Sequence, residues 1–412
     1  MRDSTPLARD FSPRPRTGLR LVHLSDLHLG YRQYQRLTPF GANQREVDVA
    51  MTFKRAVDRV IALEPELIVI AGDVFHSVRP ANPAILHAYR EFNRLTQALP
   101  EVPVIIVAGN HDLPRSSETG CILRLFEQEN VYVADFEARR FSFPNHGLSV
   151  LAVPDVVGGR PELTPDPAAR RNVLVIHGEV AGLLPRRAAA MDRATFEITE
   201  EELGASQWTY VALGHYHVHR EVAPNAYYSG SIDYTSANAW GELAEERAAG
   251  LPGKGFIEYD LDTGVHTFHP LPPSRGLVDL PSFSARGMTG GEVDAAIREA
   301  VDACPGGIAD QIVRLVLRDV ARHINNDLDH QALREYKRRA FHFQLETLRP
   351  EVRPMRGEAA PGHPQSLAEF VRERLLTRAV PPEVDRAQLI ERVFEYLDQA
   401  TAAELAAGEA EG

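Results

Sequence analysis

"ELIVIAGDVFH" (residues 66–76) joins an apolar run of strand length to a polar cluster, Asp73 and His76, across a single glycine. The same grammar recurs along the first two thirds of the chain. "LRLVHL" (19–24) leads into "SDLHLG", "VPVIIVAG" (102–109) into Asn110 and His111, and "NVLVIHG" (172–178) carries His177. "LSVLAV" (148–153) is a further apolar run, and "YVALG" (210–214) precedes "HYHVH". Helical patterns alternate with these runs; in "EVDVAMTFKRAVDRVIAL" (46–63) the apolar residues recur at helical spacing. Short β-rich runs alternating with amphipathic helices predict an α/β fold, sheets layered by helices.

From about residue 276 to 350 the pattern restarts on a smaller scale, with strands in "RGLVDLP", "QIVRLVLRDV" and "AFHFQLETL" and helices in "GGEVDAAIREAVDAC" and "HQALREYKRR". Residues 351–365 are rich in Pro and Gly and read as a linker. After it, Ser366 and Glu369 form a capping box opening one amphipathic stretch, and a second follows "VPPEVD", so residues 366–412 are expected to form a helix–loop–helix with an acidic tail.

A chain of 412 residues with 44% hydrophobic and 25% charged residues is long enough for more than one domain and ordinary for a globular protein. Cys121 and Cys304 are its only cysteines, which excludes a disulfide framework and a thiolate zinc ribbon. No apolar run reaches membrane-spanning length, and residues 1–18 lack a signal-peptide core. The expectation is a cytoplasmic protein with a disordered leader over 1–18. A net charge of −12 argues against a broad electrostatic grip on nucleic acid. Bound divalent cations and the acidic tail weaken that argument, so charge leaves nucleic acid open.

The polar clusters sit where the strands end, and in α/β sheets that is where ligands bind. Asp26 and His28, and likewise His215 and His217, are two apart, so on extended backbone each pair faces one side. With Asp73, Asn110 and His177 these make two Asp, one Asn and four His, oxygen and imidazole donors suited to Mn²⁺, Fe or Zn²⁺. Seven donors exceed one tetrahedral ion. A binuclear centre with a bridging carboxylate, the ions roughly 3.5–4 Å apart, would clamp a phosphate and a water-derived hydroxide. Gly72, Gly109 and Gly214 read as backbone requirements at the bends beside these donors.

The order DxH, GDxxx, GNHD, H, GHxH resembles the calcineurin-like metallophosphoesterases, which implies their β-sandwich layered by helices. By that resemblance one metal takes Asp26, His28, Asp73 and His217, and the other takes Asp73, Asn110, His177 and His215, with Asp73 bridging. His111 would steady the scissile phosphate or protonate the leaving oxygen. "HLSDLHLGYRQY", "GDVFHSVRP" with its extra His76, and "YYSGSIDYTS" (227–236) are similar to the SbcD family of nuclease subunits and its archaeal and eukaryotic counterparts. That narrower resemblance implies a nuclease domain over 19–275, a DNA-capping domain over 276–350, and a C-terminal helix–loop–helix that binds an SMC-like ATPase of the SbcC type. It further implies DNA as substrate in double-strand break repair, Mn²⁺ as the activating ion, and homodimerisation. His76 would then orient the DNA phosphate.

Four expectations concern individual residues. His219 continues the alternation of His215 and His217 but matches no motif, and is expected to be a solvated or supporting residue, as is His23. Tyr31 is either a substrate contact or a lid over the core. Arg32, Arg36 and Arg45 offer local positive charge for DNA. The competing reading is a stand-alone phosphodiesterase or phosphatase acting on a small molecule or phosphoprotein, with the same metals and no partner for the last helices. A non-catalytic scaffold is the other rival, and the intact ligand set speaks against it.

Overall fold

A computed structural model describes residues 18–114, 120–155, 161–183, 194, 196–350, 375–376, 385–394 and 396. The chain divides into two compact units, Met1–Pro350 and Glu351–Gly412. In the second unit residues 386–394 are helical, and Asp385 caps them by accepting from the backbone of Ala387 (2.8 Å). Residues 375–376 and 396 are helical too; the rest of the expected helix–loop–helix over 366–412, the expected linker over 351–365 and residues 1–17 of the expected leader over 1–18 lie outside the described residues.

The strands of the first unit are β1 (Arg20–Leu24), β2 (Leu67–Ala71), β3 (Val104–Val107), β4 (Val131–Ala134), β5 (Arg139–Phe143), β6 (Leu148–Val153), β7 (Arg171–His177), β8 (Glu179–Val180), β9 (Glu197–Ile198), β10 (Tyr210–Gly214), β11 (Arg220–Ala223), β12 (Ala226–Tyr228), β13 (Gly255–Asp260), β14 (His266–Pro270), β15 (Leu277–Asp279), β16 (Phe283–Ser284), β17 (Ile312–Arg318) and β18 (His342–Thr347). Its described α-helices are α1 (Gln44–Leu63), α2 (Asn82–Ala98), α3 (Glu200–Leu203), α4 (Ala239–Ala248), α5 (Gly290–Asp302), α6 (Arg322–Asp327) and α7 (His330–Arg339).

One six-stranded sheet runs β14-β13-β1-β2-β3-β4 and the other β11-β12-β10-β7-β6-β5. Within the first, β1 to β4 are mutually parallel; within the second, β10, β7 and β6 are. Alternation along each strand assigns the faces. Leu21, Val69, Ile105, Val173, Val175 and Ala212 form the core between the sheets, while Val22, Ile68, Ile70 and Ile106 face α1 and α2. Both faces of the central strands are covered, which is why their sequences read as unbroken apolar runs.

Helix α1 begins where the Asn43 side chain accepts from Arg45 N and ends where Glu64 turns left-handed (φ 47°) before Pro65. Its stripe of Val49, Phe53, Ala56, Val57 and Val60 is buried against the first sheet. Removing the Phe53 ring would cost about 3–5 kcal/mol.

At the carboxyl ends of the central strands the two sheets nearly touch. A Cβ on Gly214 would stand 1.7 Å from Ala71 O. Gly72, at φ +91°, would drive one to 2.1 Å from His177 Nδ1. Only glycine lets β10, β7 and β2 deliver their polar ends to one place.

Residues 277–347 build the smaller sheet, β15-β17-β16 with β18 on β17, all parallel to β17, over a core of its own that includes Val293, Ile297, Leu315 and Phe343. No described helix is long and apolar enough to cross a membrane.

Candidate metal centre

The loops leaving β1 and β2 are zipped together by Asp26 N to Gly72 O (3.0 Å), His28 N to Asp73 O (2.9 Å) and His76 N to Leu29 O (3.0 Å). Asp26 (φ 52°), His28 (46°), Asp73 (52°) and His215 (104°) all adopt positive φ. They are half of the eight described non-glycine residues that do so. Such backbone persists only where its surroundings over-determine it, and it clusters at functional sites.

Those turns aim the side chains inward. His28 Nε2 and His217 Nε2 face each other at 3.0 Å. Asp73 spends Oδ1 on the backbone N–H of His111 (2.9 Å) and holds Oδ2 3.7 Å from His28 Nε2 and 3.6 Å from His177 Nε2. Asp26 Oδ1 lies 3.9 Å from His217 Nε2, and the Asp26 carboxylate accepts from His215 N (3.1 Å). Asn110 Oδ1 is 3.0 Å from His177 Nε2, and the His177 and His215 rings meet edge-on at 5.5 Å.

Among the described residues, three groups bring donor atoms within 4.8 Å of one another: Asp26, His28 and His217; Asp26, Asp73 and His177; and His28, His76 and His111. All seven sequence-read donors therefore line one region, and Asp73 Oδ2 stands between His28 and His177.

The donor chemistry fits cations. His177 Nδ1 points at the carbonyl of Ala71 (2.8 Å), so that nitrogen carries the proton. Nε2 then faces two oxygen acceptors, Asn110 Oδ1 and Asp73 Oδ2, and the carboxylates of Asp73, Asp26 and Asp155 draw positive charge to the ring against its burial. Lone pairs converging in a buried site call for a cation between them. Burial, reinforced by His217, His111 and His76, holds His28 well below the ordinary histidine range, keeping its nitrogens available as ligands. Burial, with a smaller push from Asp26, raises the Asp73 carboxyl despite the opposing pull of His177 and His111.

His76 and His111 form the adjoining wall, their rings stacked at 5.3 Å and each edge-on to His28 at 5.4 and 4.9 Å. His111 Nδ1 donates to the His76 carbonyl (2.8 Å), which fixes its ring. Tyr31 is buried, 5% exposed, and edge-on to His76 at 4.9 Å, so it is a lid that also packs the site.

His219 is turned away, donating Nδ1 to Tyr228 O (3.0 Å) and stacking on Phe268 at 4.6 Å. His23 is buried against the Tyr210 hydroxyl (3.0 Å). Neither belongs to a donor group.

The arginines read as local positive charge for DNA are largely committed elsewhere. Arg45 is 1% exposed and pairs with Asp233 (2.9 Å), because it sits on the buried face of α1. Arg36 donates to the carbonyls of Lys337 (3.2 Å), Ala340 (2.8 Å) and Phe341 (3.2 Å), capping the end of α7. Arg32 pairs with Glu46 (2.7 Å) and keeps a half-exposed side chain.

Asp112 is a supporting residue that the sequence reading passed over, although it closes "GNHD". Its carboxylate accepts from Val74 N (3.1 Å), Phe75 N (2.9 Å) and Gly109 N (3.1 Å), pinning the β2 loop to the β3 loop. Burial, with Asp73 adding, pushes its carboxyl up to about 7 against those three bonds.

A family profile described as calcineurin-like phosphoesterase matches residues 19–246. Proteins named "DNA double-strand break repair protein Mre11" are similar to the chain. The one from Sulfolobus acidocaldarius is 30% identical over 208 residues, 49% of this chain and 50% of that protein. The one from Methanopyrus kandleri is 28% identical over 272 residues, 60% and 55% of the two chains. The one from Methanococcus maripaludis is 24% identical over 253 residues, 59% and 63%. The chain spans about half the length of the first two relatives.

Proposed function

The chain belongs to the calcineurin-like phosphoesterase family, and from that premise we propose that it is a metal-dependent DNA nuclease of double-strand break repair, cutting phosphodiester bonds as exonuclease and endonuclease. The observation that carries the reading is the wall of His76 and His111 set edge-on to His28, beside the paired donor groups. The names of the similar archaeal proteins point the same way.

Two divalent cations, Mn²⁺ in our reading, held by Asp26, His28, Asp73 and His217 and by Asp73, Asn110, His177 and His215, would supply an activated water and neutralise the phosphate. The protein's own groups do the rest. With Nδ1 committed to the His76 carbonyl, His111 handles the leaving 3′ oxygen's proton through Nε2. His76, stacked on His111, orients the phosphate.

The remaining assignments belong to the same proposal: nuclease domain 19–275, DNA-capping domain 276–350, linker 351–365, and a helix–loop–helix over 366–412 for an SMC-like ATPase of the SbcC type. A homodimer working in the cytoplasm completes it. With Arg36 and Arg45 committed internally, the DNA groove draws its positive charge from other residues and from the metals.

The test is a Mn²⁺-dependent assay on linear and hairpin DNA, with and without an ATPase partner, with Asp73→Asn and His111→Ala as controls. DNA cleavage lost in both variants is the expected result. A chain that cleaves a chromogenic phosphodiester but leaves every DNA intact would be the stand-alone phosphodiesterase instead.

A further inference from the structure

Behind His217 lies a buried charge cluster that none of the strand-end motifs contains. Lys254, one of three lysines in the chain, is 3% exposed. Its Nζ contacts Glu242 Oε2 (2.6 Å), Glu246 Oε1 (3.0 Å) and the backbone carbonyl of His217 (2.8 Å). Glu242 Oε1 in turn stands 3.2 Å from His217 Nδ1, at ion-pair distance though not lined up as a hydrogen bond. Glu242 also takes the Ser236 hydroxyl, and Tyr234 donates to Glu246 (2.6 Å). Both carboxylates come from α4, and both are at least 93% buried by surface, at 7% and 2% exposure.

Burying two carboxylates around one ammonium leaves about one negative charge uncompensated, and burial of unpaired charge is costly. The group nearest that surplus is the imidazole of His217. A carboxylate beside Nδ1 selects the tautomer protonated there, which leaves Nε2 as the lone pair that faces His28 and Asp26. A carboxylate behind a metal-bound histidine also raises the ring's basicity and fixes its orientation.

We propose that Glu242 is a positioning residue: with Lys254 setting its place, it orients the neutral His217 imidazole with its proton on Nδ1, so that the Nε2 lone pair holds a divalent cation. Glu246 completes the charge cluster but does not touch His217. The inference rests on the metal centre proposed above, and the pair of glutamates provides its internal control.

The experiment is Mn²⁺ titration of the full chain followed by electron paramagnetic resonance, with wild type, Glu242→Gln and Glu246→Gln. Both substitutions disturb the same buried cluster, so thermal unfolding of each metal-free protein measures the structural damage. Glu242→Gln should weaken one of two Mn²⁺ sites by about tenfold to a hundredfold and leave the other near wild type. Glu246→Gln should retain both affinities at a similar loss of thermal stability. The visible spectrum of the Co²⁺-loaded protein should shift with Glu242→Gln and not with Glu246→Gln. Equal Mn²⁺ affinities in the two variants, or equal losses, would overturn the assignment. A wild-type chain that takes up no divalent cation would instead overturn the metal-centre reading itself.

Discussion

His28 Nε2 and His217 Nε2 face each other across 3.0 Å, two imidazole nitrogens from opposite sheets brought together with the carboxylates of Asp26 and Asp73 alongside. That arrangement is better satisfied by a cation than by a shared proton, and metal should therefore stabilise the fold. A ligand present at a hundred times its dissociation constant adds about 2.7 kcal/mol per independent site. Differential scanning calorimetry should show Tm rising with added Mn²⁺ and falling with EDTA, and Asp73→Asn, which strikes both donor sets, should abolish most of the response.

His217 and His219 sit two apart on one segment yet have different surroundings. His217→Ala should lose bound metal, measured by inductively coupled plasma mass spectrometry. His219→Ala should retain it while losing the stack on Phe268, at a stability cost of about 1–2 kcal/mol. Equal metal loss in both would contradict the separation of their roles.

Gly214→Ala would put a methyl 1.7 Å from the Ala71 carbonyl, against backbone rather than a movable side chain. We expect a penalty of about 3 kcal/mol or more, read as insoluble protein or a sharply lowered urea midpoint.

The pair Arg45 and Asp233 is buried at 1% side-chain exposure on both partners. Arg45→Met strands the Asp233 carboxylate, and removing one partner of such a pair costs about 3–5 kcal/mol. Arg45→Met with Asp233→Leu should recover a large part of that loss in chemical denaturation. No recovery would mean that the pair has a role beyond mutual neutralisation, for instance through the bond from Thr52 to Asp233.

His23 gives the fold an acid sensitivity. Burial, with His219 adding, lowers its pKa to about 3, against 6.5 in the unfolded chain. Below pH 6.5 the unfolded chain takes up a proton that the folded state refuses, so stability falls as the pH drops from 6.5 toward 3. The slope approaches 1.4 kcal/mol per pH unit at the acid end and sums to about 1.7 kcal/mol between pH 6.5 and 5. Urea unfolding of His23→Phe should show a shallower decline over that interval than the parent protein; an unchanged slope would assign the sensitivity to other groups.

Much of this architecture was legible because parallel strands covered on both faces have to be apolar throughout, so their polar ends stand out. "ELIVIAG" and "VPVIIVAG" became β2 and β3, and their terminal Asp73 and Asn110 line the same region as the five other donors. What escaped was burial of charge. Arg45 looked available because a sequence displays a side chain's charge and not which face of α1 it occupies. Glu242 and Lys254 were illegible for another reason. They lie 25 and 37 residues beyond His217 with no strand end to flag them, and only the folded chain brings them behind its ring. Asp112 stood in plain view within "GNHD", but its three partners are backbone amides, which carry no sequence signature.

The positive φ angles of Asp26, His28, Asp73 and His215 bear on when the site takes shape. Left-handed backbone at four non-glycine residues costs on the order of 1 kcal/mol or more apiece. The closely packed strand ends and the zipped β1 and β2 loops hold it in place. The donors then need little rearrangement to receive a metal, so uptake should be fast and its rate should track encounter. Folding of the chain, rather than metal uptake, should then set the pace at which such a centre is assembled.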